Sequence, residues 1–187
     1  MMLDVEKDLT ERADQCGFSQ QGSIEVARFI GALTRLAAPR RALELGTGMG
    51  LTTYQILRNL PAEAALDSVE NDEVLIKVAR EVLGGDPRLR LHNSLGEEFI
   101  NDALEAEGYD LVFADTWPGK YFLLDEALRL VRSGGVYVVD DMNPIIDWPD
   151  GHAEKARNLL THLECLKGWT FSYYTFGTGI GIAQKQI

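Results

Sequence analysis

The sequence has few of the residues that build disulfide-bonded or zinc-stabilised domains. It contains two cysteines, Cys16 and Cys165, which stand far apart and form no C-x-x-C pair. Its three histidines, His92, His152 and His162, have no metal-ligand spacing, and we select none of them as a catalytic residue. The cysteine pattern favours two reduced thiols over a disulfide framework or a zinc site.

Basic residues and long apolar segments are also scarce. The 18 lysines and arginines are outnumbered by 29 aspartates and glutamates, so the formal net charge is -11 at pH 7. Because nucleic acids are bound mainly through lysine and arginine, this balance argues against a nucleic-acid partner and favours a small molecule. The first 15 residues are dense in charge and contain no apolar core segment, so we expect neither a signal peptide nor a membrane anchor there. We therefore expect a cytoplasmic protein without a membrane partner, and a homodimer is compatible with the sequence.

The most informative stretch is residues 42–53, where a short apolar run ends in a glycine-rich turn and continues as a helical pattern. Gly46, Gly48 and Gly50 alternate there, so the turn lacks side chains at the point where a strand must pass sharply into a helix. A ligand can then lie against bare backbone at the helix N-terminus. The stretch predicts a nucleotide-type cradle, and a glycine turn of some other α/β protein is the alternative.

The spacing of the glycines separates two kinds of cradle. A dinucleotide site has the pattern G-x-G-x-x-G, whereas here the third glycine comes one residue earlier and Glu44 precedes the first glycine by two residues. This pattern resembles motif I of the class I S-adenosylmethionine (SAM) methyltransferases. The resemblance implies that Glu44, Gly46, Thr47 and Gly48 contact the methionine part of SAM.

Two later strand ends supply further candidates for cofactor binding. Glu70 closes the next predicted strand, and its two carboxylate oxygens can accept both hydroxyl hydrogens of a ribose. Ribose binding is shared with dinucleotide enzymes, so Glu70 and its neighbour Asn71 do not distinguish the two classes. The resemblance also implies that Ser94 and Leu95 hydrogen-bond the adenine edge, whereas a helix N-cap explains Ser94 equally well.

Two amphipathic helical patterns, over residues 3–15 and 24–37, precede the first predicted strand. We assign residues 1–38 to an N-terminal helical cap and residues 39–187 to a SAM-binding core. In small-molecule methyltransferases such helices cover the cofactor, so the resemblance makes residues 20–23 a candidate wall of the site. A capping segment that only closes the sheet is the alternative.

The rest of the chain alternates between strand and helix patterns. Apolar runs at residues 109–115 and 136–141 are each closed by an acid, and they indicate central parallel strands buried on both faces. The last two strand patterns, at 170–176 and 179–183, are joined so closely that they must pair antiparallel. We therefore predict a single α/β domain over residues 1–187, with a doubly wound, mostly parallel seven-stranded sheet and one antiparallel strand near the edge.

Asp115, Asp140 and Asp141 follow the two central strand patterns. The carboxyl ends of parallel strands meet at the rim where doubly wound sheets bind ligands, and adjacent strands are roughly 4.8 Å apart. The carboxylates can therefore converge on one hard cation. Neighbouring residues in a strand point to opposite faces, so Asp140 and Asp141 can both be ligands only if the strand has already ended.

From about residue 20 onward the chain resembles the catechol-type, divalent-metal-dependent O-methyltransferases. The resemblance rests on residues 115–121, which read D-T-W-P-G-K-Y, and on the pair Asp140-Asp141. It implies that the three aspartates bind magnesium or another divalent cation. Trp117 and Tyr121 stand at the offsets found in the catechol enzymes, so the resemblance implies that they contact the acceptor substrate.

The sequence departs from that family at two positions. Asp141 stands where the family has asparagine. An aspartate is still an oxygen ligand, so this change leaves magnesium binding possible. Pro118 stands where the family has its general-base lysine, and Lys120, two residues further on, is the candidate replacement. The alternatives are that Lys120 is a surface lysine and that Asp115 only lines the SAM pocket, as in metal-free methyltransferases.

Residues 143–151 form a predicted substrate loop, in which Ile146 and Trp148 are large apolar side chains just beyond the expected metal site. A soluble protein has little reason to expose such side chains unless they cover a ligand or a partner. Packing against the helix predicted at residues 153–166 is the alternative.

These features predict a SAM-dependent methyltransferase that acts on an oxygen of a small acceptor, for which an aromatic ring is one option. SAM carries a cationic sulfonium leaving group, so the protein must chiefly align the acceptor oxygen and keep it deprotonated. Asp115 and Lys120 are the catalytic candidates. Two alternatives remain open: a SAM-binding protein without catalysis, and an NAD-dependent or nucleotide-dependent Rossmann enzyme.

Overall fold

The computed structural model describes residues 2–20, 22–104, 108–145 and 148–187. The helices are α1 (Met2–Cys16), α2 (Ile24–Ala37), α3 (Leu51–Asn59), α4 (Glu73–Leu83), α5 (Gly96–Ala103), α6 (Leu124–Leu130) and α7 (His152–Glu164). The strands are β1 (Arg41–Leu45), β2 (Ala65–Glu70), β3 (Leu89–Asn93), β4 (Tyr109–Ala114), β5 (Val131–Val139), β6 (Trp169–Tyr174) and β7 (Ile180–Lys185).

The strands form one seven-stranded sheet in the order β3-β2-β1-β4-β5-β7-β6. Neighbours from β3 to β5 pair in parallel, and β7 is antiparallel to both β5 and β6. The predicted fold is thus confirmed, with the reversed strand one place in from the edge. The strand order changes direction between β1 and β4, and the crevice at this switch point is where doubly wound sheets bind ligands.

The sheet is covered on both faces, as the apolar runs predict. All six residues of β4 are buried. Leu111 and Phe113 pack with the apolar faces of α2 and α3, whereas Val112 and Ala114 pack with residues of α5, α6 and α7. Successive strand residues point to opposite faces, so this continuous apolar run is the pattern expected of a strand between two helical layers.

Several element boundaries differ from the predicted ones. Helix α4 begins at Glu73 because the Asp72 side chain accepts a hydrogen bond from the Val74 amide at 2.7 Å and caps the helix. Helix α5 begins at Gly96 with Leu95 as its N-cap residue, so the N-cap explanation of Ser94 is wrong. Strand β5 begins at Val131, upstream of the predicted start.

Helix α1 is attached to the next two helices through a buried carboxylate. Glu6 is 4% exposed, and its Oε2 accepts a hydrogen bond from Arg28 of α2 at 2.6 Å. Gln55 of α3 donates to the other carboxylate oxygen. These bonds and the nearby Arg58 outweigh burial and lower the pKa of Glu6. The carboxylate therefore joins three helices.

Two predictions about the chain as a whole are tested by the described residues. Cys16 and Cys165 are free thiols, and both are exposed. Within the parts of the chain that the structure describes, no helix has both the length and the apolar character that a membrane crossing needs. The division into a cap (1–38) and a core (39–187) stays a prediction.

Candidate cofactor and acceptor site

The turn after β1 needs its glycines for steric reasons. Gly46 and Gly50 have φ angles of 100° and 98°, a region that side-chain-bearing residues rarely enter. A Cβ atom at Gly46 would lie 2.9 Å from the Asp115 carbonyl oxygen, and one at Gly50 would lie 2.7 Å from Leu83 Cδ1. The turn therefore presses against the end of β4 on one side and against α4 on the other, and its glycines place no side chain of their own over its backbone.

Glu44 lies beneath this turn and is fully buried. Its Oε2 accepts hydrogen bonds from the hydroxyls of Thr53, at 2.5 Å, and Ser68, at 2.6 Å. Its Oε1 is buried without a hydrogen-bond partner among the described residues. Burial raises the pKa of Glu44 to about 7, although the two hydroxyls oppose the shift. A cationic group of a ligand would complete this environment.

Glu70 reaches the glycine turn from the end of β2. Its Oε2 accepts a hydrogen bond from the Gly48 amide at 2.8 Å, and its Oε1 accepts one from the Asp72 amide at 3.0 Å. The hydroxyl of Thr47 lies 2.6 Å from that of Ser68, which links the turn to the same strand. Glu70 is thus anchored beside the cradle through two backbone amides.

A cavity of about 190 Å³ opens beside the turn. Five of the predicted cofactor residues line it: Gly46, Glu70, Asn71, Ser94 and Leu95. The other lining residues include Gly96, Glu97, Thr116, Pro118 and Phe122, none of which the sequence identified as a cofactor contact. The strand-to-helix turns after β1, β2 and β3 therefore meet the loop after β4 at one cavity.

Phe18 is a further residue that the sequence did not single out. A Cβ atom built on Gly48 would lie 3.4 Å from Phe18 Cε1, so this ring covers the glycine turn from the segment between α1 and α2. Within the predicted wall at residues 20–23, the Ser23 hydroxyl accepts a hydrogen bond from the Val26 amide and caps α2. Gln21 lies outside the described residues. The wall at residues 20–23 and the segment that only closes the sheet both stay predictions, and Phe18 is the described residue that lies against the turn.

The loop after β4 directs Pro118 and Lys120 to different places. Pro118 lines the cofactor cavity. Gly119 has a φ of 81° and its amide donates to the Phe122 carbonyl at 2.8 Å. Lys120 then turns inward and is 4% exposed. The alternative that Lys120 is a surface lysine is therefore wrong.

The two acids that follow β5 differ in burial. Asp140 is 2% exposed, and its Oδ1 accepts hydrogen bonds from the Asp141 amide at 2.7 Å and from the Thr178 hydroxyl. Asp141 is exposed and has a φ of 59°. Because β5 ends at Val139, the chain has left the strand before these residues, as two-sided ligation required.

Burial raises the pKa of Asp115 well above its usual value. The Lys120 ammonium opposes this shift, whereas Asp140, Asp141 and Glu44 reinforce it. Burial also raises the pKa of Asp140, although the hydrogen bond from the Thr178 hydroxyl lowers it. Among the described residues, no group of three or more His, Cys, Asp and Glu side chains is arranged to hold a metal ion. The charge that the structure places near these acids is Lys120.

Aromatic side chains gather next to the acids. The Trp117 and Tyr121 rings are 5.8 Å apart, edge to face, and the Trp148 ring lies 4.3 Å from that of His152 at the start of α7. His152 Nε2 lies 3.1 Å from the Tyr121 hydroxyl oxygen. Trp148 also packs on the apolar core, as the packing alternative expected. The predicted substrate residue Ile146 lies outside the described residues.

His152 is the member of this cluster that the sequence did not identify. Its Nδ1 is buried without a hydrogen-bond partner in the described parts of the chain. Burial lowers the pKa of His152, and the ammonium groups of Lys120 and Lys155 lower it further, against the effect of Asp141. The ring is therefore neutral near pH 7. Its position directly after the apolar loop was the only signal available in the sequence.

The fold and the glycine turn define a Rossmann-like protein of the methyltransferase type. The sequence matches the family model described as O-methyltransferase over residues 4–163. Catechol O-methyltransferase B of Danio rerio is 32% identical over 136 residues, which are 68% of this chain and 51% of that protein. The chain belongs to the O-methyltransferase family, and it spans about half the length of the catechol relative.

Solved structures agree on the fold. The O-methyltransferase TomG from Streptomyces achromogenes, which is involved in tomaymycin synthesis and was solved with SAM, superposes with a TM-score of 0.85 at 23% identity. The O-methyltransferase from Bacillus cereus in complex with SAH has a TM-score of 0.87 at 18% identity. Both alignments cover 98% of this chain and at least 90% of the other. At this identity the likeness establishes the shared fold alone.

Proposed function

We propose that the protein is a SAM-dependent methyltransferase that transfers the methyl group to an oxygen of a small aromatic acceptor. The observation that carries this proposal is the arrangement of the site. A side-chain-free glycine turn and a buried carboxylate adjoin a cavity on one side, and acids with an aromatic cluster lie at the next strand ends on the other. A methyl donor and an acceptor can therefore meet at the carboxyl ends of β1, β4 and β5.

The cofactor half of the proposal assigns a part to each predicted residue. Gly46, Thr47 and Gly48 offer backbone to the methionine part of SAM, above Glu44. Glu70 and Asn71 bind the ribose hydroxyls, and Ser94 and Leu95 bind the adenine edge. Asp115 contacts the methionine end of the cofactor. The cavity lining supports this assignment because it includes residues of all three strand-to-helix turns.

The acceptor half uses the aromatic cluster. An aromatic acceptor can pack beside Trp117, which is half exposed and contacts Tyr121 edge to face, and Trp148 belongs to the same cluster through His152. The catechol relative supports a phenolic acceptor, and catechol is therefore the first probe. In this arrangement Lys120 and Asp115 are the catalytic candidates, with Lys120 next to the acceptor oxygen as its base or as a positive charge.

The three aspartates fit a resident divalent cation poorly. Asp141 is exposed, whereas Asp140 is buried and one of its oxygens already accepts two hydrogen bonds. The Lys120 ammonium also acts on both Asp115 and Asp140, so part of their negative charge is offset without a metal. The magnesium site expected from the resemblance stays a prediction, and no step of the proposal depends on it.

Calorimetric titration tests the cofactor class. SAM is expected to bind, and NAD is not, because the glycine spacing differs from that of a dinucleotide turn. Incubation with SAM and catechol, followed by mass spectrometry, then tests transfer. Binding without transfer to catechol or to other phenols would favour a SAM-binding protein without catalysis. The cytoplasmic location, the single domain over residues 1–187 and a homodimer stay predictions.

A further inference from the structure

The Lys120 side chain is buried, and its ammonium group has no close partner of opposite charge among the described residues. Lys120 is 4% exposed, and its Nζ lies 5.8 Å from the centroid of the Tyr121 ring. In the described parts of the chain its Nζ forms no hydrogen bond, and the carboxylates of Asp115 and Asp140 act on it only through their charge. An ammonium at the end of a buried side chain attracts a group of opposite charge more strongly than one in open solvent does. A ligand that brings negative charge to this point would therefore be favoured.

The groups around Lys120 are those that line the acceptor side of the site. Its charge acts on Asp115 at the end of β4, on Asp140 at the end of β5 and on His152 at the start of α7. Lys120 thus stands at the strand ends where the sequence suggested a divalent cation. Its ammonium group is positively charged, as such a cation would be.

The loop geometry explains how a lysine reaches this point. Gly119 has a φ of 81°, which favours glycine, and a Cβ atom there would lie 2.7 Å from Leu45 Cδ1, so the loop packs closely on β1. The Lys120 amide then donates to the Trp117 carbonyl at 3.1 Å, which closes a tight turn. Pro118, which occupies the position of the family lysine, lines the cofactor cavity instead.

We propose that the Lys120 ammonium replaces the divalent cation at this site: it binds the oxyanion of the acceptor, and the chain transfers methyl groups without a bound metal. This inference rests on the proposed function and specifies which charge meets the acceptor oxygen. Lys120 is then a catalytic residue through its charge, and it keeps its proton throughout.

The transfer step needs only the acceptor, SAM and a solvent molecule that takes up a proton. The acceptor hydroxyl loses its proton to solvent on binding, because the neighbouring ammonium stabilises the phenolate. A lone pair of this oxygen forms the new C–O bond while the S–CH₃ bond of SAM breaks. The sulfur keeps the electron pair of the broken bond and becomes a neutral thioether, so the sulfonium and phenolate charges disappear together.

The first test measures thermal stability and needs no acceptor. If Lys120 fills the place of the cation, millimolar MgCl₂ leaves the melting temperature of the wild-type protein unchanged. Lys120→Met leaves Asp115 and Asp140 without a countercharge, so MgCl₂ is expected to raise the melting temperature of this variant by preferential binding to its folded state. Lys77→Met, which removes an exposed lysine of α4, controls for the change in net charge.

The second test measures methyl transfer to catechol with and without EDTA. Wild-type activity is expected to be unchanged by EDTA. Lys120→Met is expected to lower kcat/KM about 100-fold, as for the loss of one group that stabilises an oxyanion, while Lys120→Arg keeps the charge and loses less. SAM affinity, measured by calorimetry, is expected to be unchanged in both variants.

Different results overturn the two proposals. Wild-type activity that EDTA abolishes and MgCl₂ restores, or a wild-type melting temperature that MgCl₂ raises as much as that of Lys120→Met, contradicts the role of Lys120 but leaves the methyltransferase intact. Absence of SAM binding in the wild-type protein contradicts the proposed function itself. If Lys120→Met fails to fold, the EDTA measurement on the wild-type protein and Lys120→Arg still decide between the outcomes.

Discussion

At the residue scale, the cofactor half of the site depends on two carboxylates with opposite environments. Glu44 is fully buried beneath the glycine turn, and one of its oxygens has no partner among the described residues. Glu70 is partly exposed and uses both oxygens to hold backbone amides of the Gly48 turn and of Asp72. Burial therefore raises the pKa of Glu44, whereas Glu70 is held in place by backbone amides.

Glu70→Gln is expected to weaken SAM binding by on the order of 1.5–3 kcal/mol, because it removes a charged acceptor from the ribose hydroxyls. Calorimetric titration with SAM measures this difference. Glu73→Gln, an exposed acid three residues further along, is the matched control and should bind SAM like the wild-type protein. Unchanged affinity in a folded Glu70→Gln variant would remove Glu70 from the cofactor site.

Glu44 should make the ligand-free protein less stable as the pH rises. Its pKa is about 7 in the folded protein and has an ordinary value of 4.5, so between these values the folded state binds more protons than the unfolded state. The stability that Glu44 contributes is therefore lost as the pH rises from 4.5 to about 7, by on the order of 3 kcal/mol.

Urea unfolding near pH 5 and near pH 8 measures this effect. The raised pKa values of Asp115 and Asp140 act in the same direction, so Glu44→Gln is expected to reduce the pH dependence and not to abolish it. An equally steep dependence in the Glu44→Gln variant would show that Glu44 is ionised in the folded protein.

At the scale of elements, the two helices before the sheet are held by one polar network. Glu6 of α1 accepts hydrogen bonds from Arg28 of α2 and Gln55 of α3, and Leu9 and Ala13 of α1 are buried beside it. Because Phe18 follows α1 directly and covers the glycine turn, the position of this helix also fixes the cover of the cofactor cradle.

Glu6→Ala is expected to lower the free energy of unfolding by about 1.5–3 kcal/mol, since it removes hydrogen bonds to a charged group. Arg28 is half exposed and can regain water, which keeps the loss below that of a fully buried pair. Glu11→Ala, in an exposed pair with Lys7, should cost less than about 1 kcal/mol. Equal losses in the two variants, measured by urea unfolding, would contradict the role of Glu6 in docking α1.

The loop before α7 is expected to contact the acceptor substrate through Trp148. Trp148→Ala is expected to raise the KM for catechol while SAM affinity stays nearly unchanged, because the ring belongs to the aromatic cluster around His152 and not to the cofactor cavity. Trp169→Ala, on the edge strand β6, is the control. If SAM affinity and acceptor KM suffer equally, or if the melting temperature collapses, Trp148 belongs to the core.

At the scale of the whole molecule, the sequence predicts what depends on local pattern. The buried run of β4 and the glycine turn after β1 are visible as composition and spacing, and the sheet follows from their alternation with helices. The direction of Lys120 could not be predicted, because it depends on how Gly119 packs against Leu45 of a distant strand. His152 was missed for the same reason, since Tyr121 and Trp117 reach it from another loop.

Transfer of a labelled methyl group from SAM to catechol is the most direct measurement of the proposed activity. With methyl-labelled SAM, EDTA present and product analysis by mass spectrometry, the account predicts an O-methylated catechol that carries the label, together with one equivalent of S-adenosylhomocysteine. Lys120→Met should form this product far more slowly at unchanged SAM affinity. A protein that binds SAM but leaves catechol and a panel of other phenols unlabelled, with and without magnesium, would contradict the account.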